Sequence, residues 1–433
     1  MFKFCARLLA VMVFLTTTGS AFAEGFALYE YSARGVALGG AMMARKADPS
    51  AVAYNPALLT QLKGAHVAGG ASFISPRGKM DWEKADGESG STSLKTNTWI
   101  IPHLYYTQQL SDDWYFGVGE FSRFGLGFEY PHGWPGRFNI YEVALQTASL
   151  NPNIAWKATE QLSLAAGIEI VYVTLDLKKR VKGPVLNPFT GNPLGYNEVD
   201  ANIQNADDVG VGFNVAGHYQ FDDEWAAGLQ YRSQVRVHAH GDAQFTNMGY
   251  YGDPAGSGFS GAYYNAMFKD GTAHATVILP DSVSGGVAWT PREDLSIEVG
   301  AIWTRWSTFR GLNIHMPDPL PASNNPKHWR DTWRFNVGVE YDVLDWMTLR
   351  AGYVWDQSPM TEEYEDYLVP TDDRNIYSAG LGLRWDAWTV DMAYAYIHPR
   401  GRVYDSSSKT NVLDSKANAS YTSIVSFTLG YEF

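Results

Sequence analysis

The residues best suited to chemistry in this chain are aromatic and apolar side chains between positions 241 and 271. This stretch contains Phe245, Met248, Tyr250, Tyr251, Phe259, Tyr263, Tyr264, Met267 and Phe268. Phe259, Tyr263 and Met267 recur every four residues, which predicts that they share one face of a helix. Exposed apolar surface in a loop is unfavourable in water unless something covers it. The segment therefore predicts binding of a hydrophobic molecule. The alternative is that it packs on another loop and closes the mouth of the fold.

The sequence offers little for catalysis or metal binding. Its one cysteine, Cys5, lies in the N-terminal leader, so the exported chain has no thiol for a disulfide, a zinc site or a nucleophile. No segment resembles a nucleophile elbow. His238 and His240 are predicted to share the interior face of one strand, but no third ligand is in view. We therefore assign no catalytic residue, no metal and no cofactor. The net charge of −13 disfavours a nucleic-acid partner, because phosphates would be repelled.

Residues 1–23 are predicted to be a signal peptide. Lys3 and Arg7 supply a positive start, an apolar run covers positions 8–15, and Ala21-Phe22-Ala23 forms a cleavage site between small residues. The apolar run is far shorter than the roughly 20 residues of a membrane-spanning helix. We therefore expect export rather than a helical anchor.

The elements that position the aromatic segment are predicted to be long strands. Apolar and polar residues alternate along positions 209–221, 332–343 and 348–356, and again along 225–240. In this last stretch Leu229, Tyr231, Val235 and Val237 are predicted to face one way and Gln230, Arg232, His238 and His240 the other. Strands of soluble proteins run to about 5–6 residues, whereas these are twice as long with aromatics near their ends. This pattern is typical of strands that cross a membrane.

Turns between the strands give the expected architecture. Short acidic turns recur at six places, and they alternate with seven longer loops near residues 75–95, 129–142, 181–207, 241–271, 315–328, 358–373 and 401–417. The alternation predicts an all-β, transmembrane antiparallel β-barrel of about fourteen strands over residues 65–433. Residues 24–64 do not alternate, and such a barrel is too wide for its own side chains to fill. We therefore predict that residues 24–64 form an N-terminal hatch, or plug, in the lumen. A disordered tail is the alternative.

Several short motifs resemble the FadL-type outer-membrane transporters of long-chain fatty acids and related hydrocarbons. In chain order they are Gly25-Phe26, Asn55-Pro56-Ala57, Phe124-Gly125-Leu126, Tyr231-Arg232-Ser233, Leu279-Pro280, Trp303-Thr304-Arg305-Trp306, Asp356-Gln357-Ser358-Pro359, the run from Val369 to Arg374, and the terminal Phe433. Each motif alone is weak, but their order and spacing cover nearly all of the exported chain.

The resemblance implies a surface groove between two loops, an inner pocket and a sideways exit at a kinked strand beside the hatch. We assign the groove to Val185, Leu186, Phe189 and Leu194 on one wall and to Phe259, Tyr263, Tyr264, Met267 and Phe268 on the other. Alignment with the family places Phe26 in the inner pocket and Lys179, Arg180 and Lys327, with Lys178 beside them, as candidate partners of a headgroup. It assigns Asn55, Pro56, Ala57 and Gly125 to the hatch and the lateral gate. Anchoring of the hatch is the alternative role for Asn55-Pro56-Ala57.

The resemblance implies passive uptake of long-chain fatty acids or similar hydrophobic compounds across the bacterial outer membrane. An aromatic-hydrocarbon channel is the alternative within this class, and an adhesin or a lipase is the alternative outside it. We expect the partners to be the hydrophobic ligand, outer-membrane lipid and lipopolysaccharide, and the barrel-assembly machinery through Phe433. We expect a monomer.

Overall fold

Long antiparallel strands make up most of the chain in the computed structural model, which describes residues 25–368, 372–406 and 411–433. The predicted signal peptide lies outside the described residues. The helices are α1 (Ala33–Ala37), α2 (Ala51–Tyr54) and α3 (Pro254–Met267), with 3₁₀ helices at Pro56–Gln61, Pro135–Phe138, Trp306–Thr308 and Glu362–Tyr364. No helix in these ranges has both the length and the apolarity to cross a membrane.

The strands vary from two to twenty-eight residues. They are β1 (Ala65–Glu83), β2 (Ser89–Ser93), β3 (Trp99–Gln109), β4 (Trp114–Phe121), β5 (Gly125–Glu129), β6 (Glu142–Lys157), β7 (Leu162–Leu186), β8 (Pro193–Gln220), β9 (Trp225–Arg232), β10 (Val235–Gly252), β11 (Gly271–Leu279), β12 (Ser282–Arg292), β13 (Leu295–Thr304), β14 (Ile314–His315), β15 (Thr332–Leu344), β16 (Met347–Asp356), β17 (Arg374–Trp385), β18 (Trp388–Pro399), β19 (Val403–Tyr404) and β20 (Asp414–Glu432).

The strands close into one ring because β1 pairs with β3 on one side and with β20 on the other. Among the described residues the ring has fourteen members, which confirms the predicted barrel. In order they are β1, β3, β4 with β5, β6, β7, β8, β9 with β10, β12 with β11, β13, β15, β16, β17, β18 and β20. Closure leaves the ring without the unpaired edge strands that an open sheet would expose to lipid.

The outside of the ring is apolar over its membrane band. In β8, Phe213 is 51% exposed, whereas its neighbour Asn214 is fully buried in the interior. Exposed tryptophans stack in pairs beside the short turns, with ring centroids 5.9 Å apart for Trp114 and Trp156. Aromatic girdles of this kind mark the membrane–water interface of outer-membrane barrels.

Residues 25–64 lie inside the ring and are held there by polar contacts. The backbone N–H groups of Met43, Ala44 and Arg45 donate to the carboxylate of Glu298 on β13, at 2.6 to 3.1 Å. Arg34 on α1 donates two hydrogen bonds of 2.8 Å to Glu340 on β15. A lumen this wide needs such filling, and the hatch supplies it.

Three ring strands are interrupted within the described residues. The third ring strand breaks at residues 122–124, between β4 and β5. The seventh ring strand breaks at residues 233–234, between β9 and β10, and the eighth at residues 280–281, between β11 and β12. Because the long loops of outer-membrane barrels face outwards, these breaks divide a periplasmic half from an extracellular half.

The two faces of the wall exchange polarity at the level of the breaks. In β9 the inward residues are Gln230 and Arg232, whereas in β10 they are Val235 and Val237. The inward residues of β7 change in the same way, from Glu169 near the membrane band to a run of valines and leucines above it. The interior is therefore polar below the breaks and apolar above them. The exterior has the opposite pattern, apolar below the breaks and polar above them.

Two sequence predictions are corrected by this arrangement. His238 and His240 face outwards into water, not into the lumen, because the break at residues 233–234 shifts the alternation by one residue. The stretches 181–207 and 241–271 are not simple loops. Most of the first continues as strands β7 and β8 with a short turn between them, and the second holds the end of β10 and all of α3.

Candidate functional site

The break in the third ring strand opens a seam in the barrel wall. β3 pairs with β4 only from Leu104 onwards, so its residues 99–103 have no partner on that side. β5 pairs with β6 alone. The hatch reaches this seam: the N–H of Leu28 donates to the carbonyl of Arg123 at 2.7 Å, and the N–H of Gly125 donates to the carbonyl of Phe26 at 2.8 Å.

A small cavity of about 40 Å³ lies at the seam. Its lining includes Leu28 from the hatch, Pro102 from β3, Glu120 from β4 and Gly125 from β5. A cavity of this volume holds a water molecule or two, so a larger molecule passes only when the lining side chains move. The hatch residues at the seam are thus the ones whose movement would widen it.

Phe26 is the centre of a buried aromatic cluster just above the break. Its ring centroid lies 4.8 Å from that of Trp306, 5.2 Å from Phe309, 5.8 Å from Phe124 and 6.0 Å from Trp329. Edge-to-face contacts of this kind stabilise aromatic clusters beyond simple burial. The cluster forms the apolar floor of the extracellular half of the lumen.

A charged network lies beneath that floor. Arg123, within the break, donates to Glu169 on β7 at 2.7 Å, and Arg232 on β9 lies 3.4 Å from the same carboxylate oxygen. Arg232 also donates to the carbonyl oxygen of Ala53 in the hatch at 2.8 Å. Burial raises the pKa of the nearby hatch residue Tyr31 to about 12, so its hydroxyl stays neutral at physiological pH. The polar network joins the hatch to three parts of the wall.

The candidate headgroup cations differ in whether a carboxylate already neutralises them. Lys327 is fully buried and forms an ion pair with Asp366. Arg180 lies 3.6 Å from Asp200, and also near Glu198. Among the described residues Lys179 has no carboxylate within salt-bridge distance, and its ammonium group lies 3.4 Å from the hydroxyl of Ser323.

Lys179 lines a small cavity of about 30 Å³ in the extracellular half of the lumen. Most of the other lining residues are apolar, namely Ile140, Leu177, Ala201, Ile203, Leu312, Ile314, Met316 and Leu368, with Asn139, Ser323, Asn325 and Asp366 as the polar members. The arrangement places one cation at the wall of an otherwise oily space. At this volume the cavity holds about one water molecule, so a larger molecule enters only when the lining side chains move.

The helix α3 packs across the hairpin of β7 and β8. Asn197 donates to the carbonyl oxygen of Ser260 at 2.9 Å. The ring of Phe268 lies over Gly183, where a β-carbon would come within 2.6 Å of it. Phe259, Tyr263, Tyr264, Met267 and Phe268 are all half-buried, as is Leu186, while Val185 is fully buried. The structure thus brings together the two predicted walls.

One predicted groove residue lies apart from the others. Phe189 is 89% exposed in the turn between β7 and β8, beyond the end of the helix contact. Its position follows from the hairpin: β7 ends at Leu186 and β8 begins at Pro193, so Phe189 lies at the tip of the turn between them. Leu194, at the start of β8, lies closer to the helix, since its carbonyl oxygen accepts from Tyr250 and from the N–H of Asp253.

Comparison with known proteins identifies the class. The family model described as "Outer membrane protein transport protein (OMPP1/FadL/TodX)" matches residues 14–433. The chain belongs to this family. It is therefore an outer-membrane transporter of hydrophobic compounds and not an enzyme.

Relatives and solved structures agree with this membership. The chain is 27% identical over 417 residues to the long-chain fatty acid transport protein of Escherichia coli O6:H1, covering 91% of each. It is 25% identical over 462 residues to outer membrane protein P1 of Haemophilus influenzae, covering 97% of this chain and 96% of that protein. A Pseudomonas aeruginosa FadL homologue has the same fold, with a TM-score of 0.81 at 19% identity, covering 94% of this chain and all of that one.

A second solved structure is also similar in fold. The Ralstonia pickettii toluene transporter TbuX superposes with a TM-score of 0.68 at 16% identity, over 94% of this chain and 99% of that one. At such identities these likenesses concern the fold alone, so they do not separate fatty acids from aromatic hydrocarbons.

The Asn55-Pro56-Ala57 motif is hydrogen-bonded to the hatch and to β8. The side-chain amide of Asn55 donates to the carbonyl oxygens of Met43, at 2.6 Å, and of Gly217 on β8, at 3.2 Å. Its oxygen accepts from the N–H of Ala57 and begins the 3₁₀ helix at Pro56. These hydrogen bonds fit the alternative role of the motif, in which it anchors the hatch to the barrel wall. The hatch residues at the break are instead Phe26, Ala27 and Leu28.

Two distant family motifs meet in the outer part of the barrel. Asp356 accepts a hydrogen bond of 2.6 Å from Arg374, and the N–H of Ser358 donates to Asp373 at 2.8 Å. Sequence reasoning also missed Arg123 and Glu169, because isolated charges on alternating strands give no signal of their pairing.

Proposed function

We propose that the protein takes up long-chain fatty acids, or compounds with a similar acidic head and apolar body, by passive diffusion. The ligand would first contact the surface between α3 and the β7–β8 hairpin. It would then enter the apolar extracellular half of the lumen and leave sideways at the break in the third ring strand. Burial of a long acyl chain contributes on the order of 10 kcal/mol at about 0.8 kcal/mol per CH₂ group.

The exchange of polarity at the breaks supports the sideways exit. An apolar ligand moving inwards passes the aromatic cluster around Phe26 and then reaches the ion pairs of Arg123, Arg232 and Glu169. Breaking these buried pairs to admit an acyl chain would leave charges uncompensated, which is strongly unfavourable. The bilayer beyond the seam is apolar, so the ligand loses little solvation free energy by leaving there.

Lys179 is the observation that favours an acidic ligand. A carboxylate brought into an apolar space needs a cation nearby, because an unpaired buried charge is costly. Lys327 and Arg180 already have carboxylate partners, whereas Lys179 has the hydroxyl of Ser323. An aromatic hydrocarbon has no charge and gains nothing from this lysine. The aromatic-hydrocarbon alternative therefore predicts that Lys179 is dispensable.

The test compares Lys179→Met with Lys178→Met. Lys178 is adjacent but binds Glu142 at 2.9 and 3.0 Å, so it serves as the matched control. We expect Lys179→Met to weaken oleate binding about tenfold or more, the effect of losing a charged hydrogen bond. Oleyl alcohol binding should change little. Equal affinity of both variants for oleate, with tight binding of toluene, would instead favour the aromatic-hydrocarbon function.

Four expectations about partners and assembly remain predictions. They are contact with outer-membrane lipid, contact with lipopolysaccharide, assembly through the C-terminal residue and a monomeric state. Phe433 is 74% exposed, and its N–H donates to the carbonyl of Ala65 on β1 at 2.9 Å. An exposed terminal aromatic at the closing strand is compatible with recognition during assembly.

A further inference from the structure

Four strands of the extracellular half place one acidic and three histidine side chains in a single row. The cross-strand register pairs Asp207 on β8 with His240 on β10, His240 with His274 on β11, and His274 with His315 on β14. Residues directly opposite each other in a sheet have side chains on the same face, with Cβ atoms about 4.5–5.5 Å apart. The row therefore runs across the outer surface, at right angles to the strands.

The three imidazole rings are stacked and face water. The centroids of His274 and His315 lie 4.6 Å apart with the rings 8° from parallel, and those of His240 and His274 lie 5.7 Å apart at 24°. All three residues are exposed. In the part of the chain that the structure describes, none of these rings has a hydrogen bond or a salt bridge.

An acidic residue and a fourth histidine lie beside the row. Asp207 lies at one end, and one of its oxygens accepts a 2.7 Å hydrogen bond from Tyr172, which holds the carboxylate in place. His238 lies two residues along β10, with Nδ1 3.0 Å from the hydroxyl of Thr276. Four of the ten histidines in the chain thus lie on this one patch.

We propose that His240, His274 and His315 bind a borderline-soft divalent cation such as Zn²⁺ or Cu²⁺, with the carboxylate of Asp207 beside His240 contributing a favourable negative charge. Neutral imidazole is a favoured ligand of both ions. Zinc–nitrogen distances of about 2.0–2.1 Å in a tetrahedral site bring two ligand nitrogens to roughly 3.3 Å from each other. Binding therefore requires the exposed rings to turn about their χ angles, out of the stacked arrangement and towards a common point.

The position of His315 gives the bound ion a structural effect. β14 consists of Ile314 and His315 only and lies in the long connection between β13 and β15. Ile314 and Met316, on either side of His315, line the cavity that contains Lys179. An ion shared by His315 and His274 therefore ties this connection to β11. The wall of the proposed ligand space becomes less mobile when the ion is bound.

A second cluster with metal-ligating groups is less suitable. Glu129, His132 and Glu142 have ligand atoms within 4.8 Å of one another. However, Glu129 is paired with Lys95 and Glu142 with Lys178. The two lysines already neutralise the carboxylates, so a cation would have to displace them.

The test uses the full-length protein in detergent, purified without a polyhistidine tag, and titrates it with ZnCl₂ and CuCl₂. Calorimetry should show one bound ion per chain, and the Cu²⁺ electron paramagnetic resonance spectrum should show nitrogen hyperfine structure. His274→Gln and His315→Gln should each weaken binding about tenfold or more. Both substitutions are on the exposed surface, and heat-modifiable migration in gels verifies that the barrels are folded.

Two control variants locate the site. His398→Gln changes an exposed histidine of β18 whose ring neighbour is Tyr396, and it should leave binding unchanged. His132→Gln should also leave it unchanged. The proposal is overturned if the native protein binds neither ion, if the His274 and His315 variants bind as tightly as it does, or if His132→Gln abolishes binding. The outcome is independent of the fatty-acid proposal, since no lipid takes part in the titration.

Discussion

The backbone N–H of Gly125 donates a 2.8 Å hydrogen bond to the carbonyl oxygen of Phe26. The bond joins the beginning of the hatch to the strand edge that the break in the third ring strand leaves without a neighbour. An isolated antiparallel bridge between Ala27 and Phe124 continues the same pairing. The hatch therefore occupies the seam as a short substitute strand. Residues 26–28 are thus the part of the hatch that covers the seam.

Replacing Gly125 with phenylalanine is expected to slow uptake. The new side chain would project at the seam, next to the cavity of about 40 Å³ bordered by Leu28 and Pro102. Uptake of radiolabelled oleate by cells that lack another transporter should fall about tenfold, while oleate binding to the purified protein persists. Gly133→Phe is the control, because a β-carbon at Gly133 meets nothing within 4 Å. An uptake rate equal to that of the native protein would argue against the lateral route.

Replacing Gly25 with alanine is expected to disturb the aromatic cluster. Gly25 has a φ of +63°, and a β-carbon there would lie 2.6 Å from the ring of Trp306. The near-ultraviolet circular dichroism of the aromatic residues should decrease, and exchange of the Gly125 amide hydrogen should become faster. Gly87→Ala is the matched control, since Gly87 has a φ of +85° but no neighbour within 4 Å. If both variants behave alike, backbone strain and not the clash with Trp306 is responsible.

Replacing Glu169 with glutamine is expected to loosen the hatch. The substitution leaves the guanidinium groups of Arg123 and Arg232 without their shared buried carboxylate, and loss of one partner of a buried pair costs about 3–5 kcal/mol. Single-channel recordings should show a rise in ion conductance or in the frequency of opening. Glu160→Gln, at an exposed residue of a short turn, should leave the conductance as it is. Unaltered conductance in Glu169→Gln would mean that other contacts hold the hatch.

Substitutions of Lys327 and Asp366, which form a buried ion pair, are expected to have strongly non-additive effects on local stability. Lys327→Met alone leaves the carboxylate of Asp366 buried and uncompensated, at a cost of about 3–5 kcal/mol in local stability. The double variant Lys327→Met with Asp366→Leu should recover much of this loss, because no charge remains buried. Protease susceptibility of the surrounding loops under native conditions provides the measurement. Additive effects of the two substitutions would contradict a direct interaction.

The sequence by itself determined the ring. Alternation along each strand specifies which residues share a face, and the order of short turns and long loops specifies the number of strands, so fourteen followed from local pattern alone. The helix α3 was also predictable, since the apolar residues Phe259, Tyr263 and Met267 recur at helical spacing. Motif order along the whole chain then indicated the transporter family.

Only the tertiary structure decided how the faces of the strands are distributed in space. Alternation does not reveal a break of two residues, and the one between Arg232 and Val235 moves every later side chain of that strand to the opposite face. His240 therefore points to water and meets His274 and His315, residues that lie far away in sequence. The pairing of Arg123 with Glu169 was also hidden, because nothing in the local sequence around either residue indicates its partner. Register between distant strands is fixed by closure of the whole ring, and no local stretch of sequence contains that constraint.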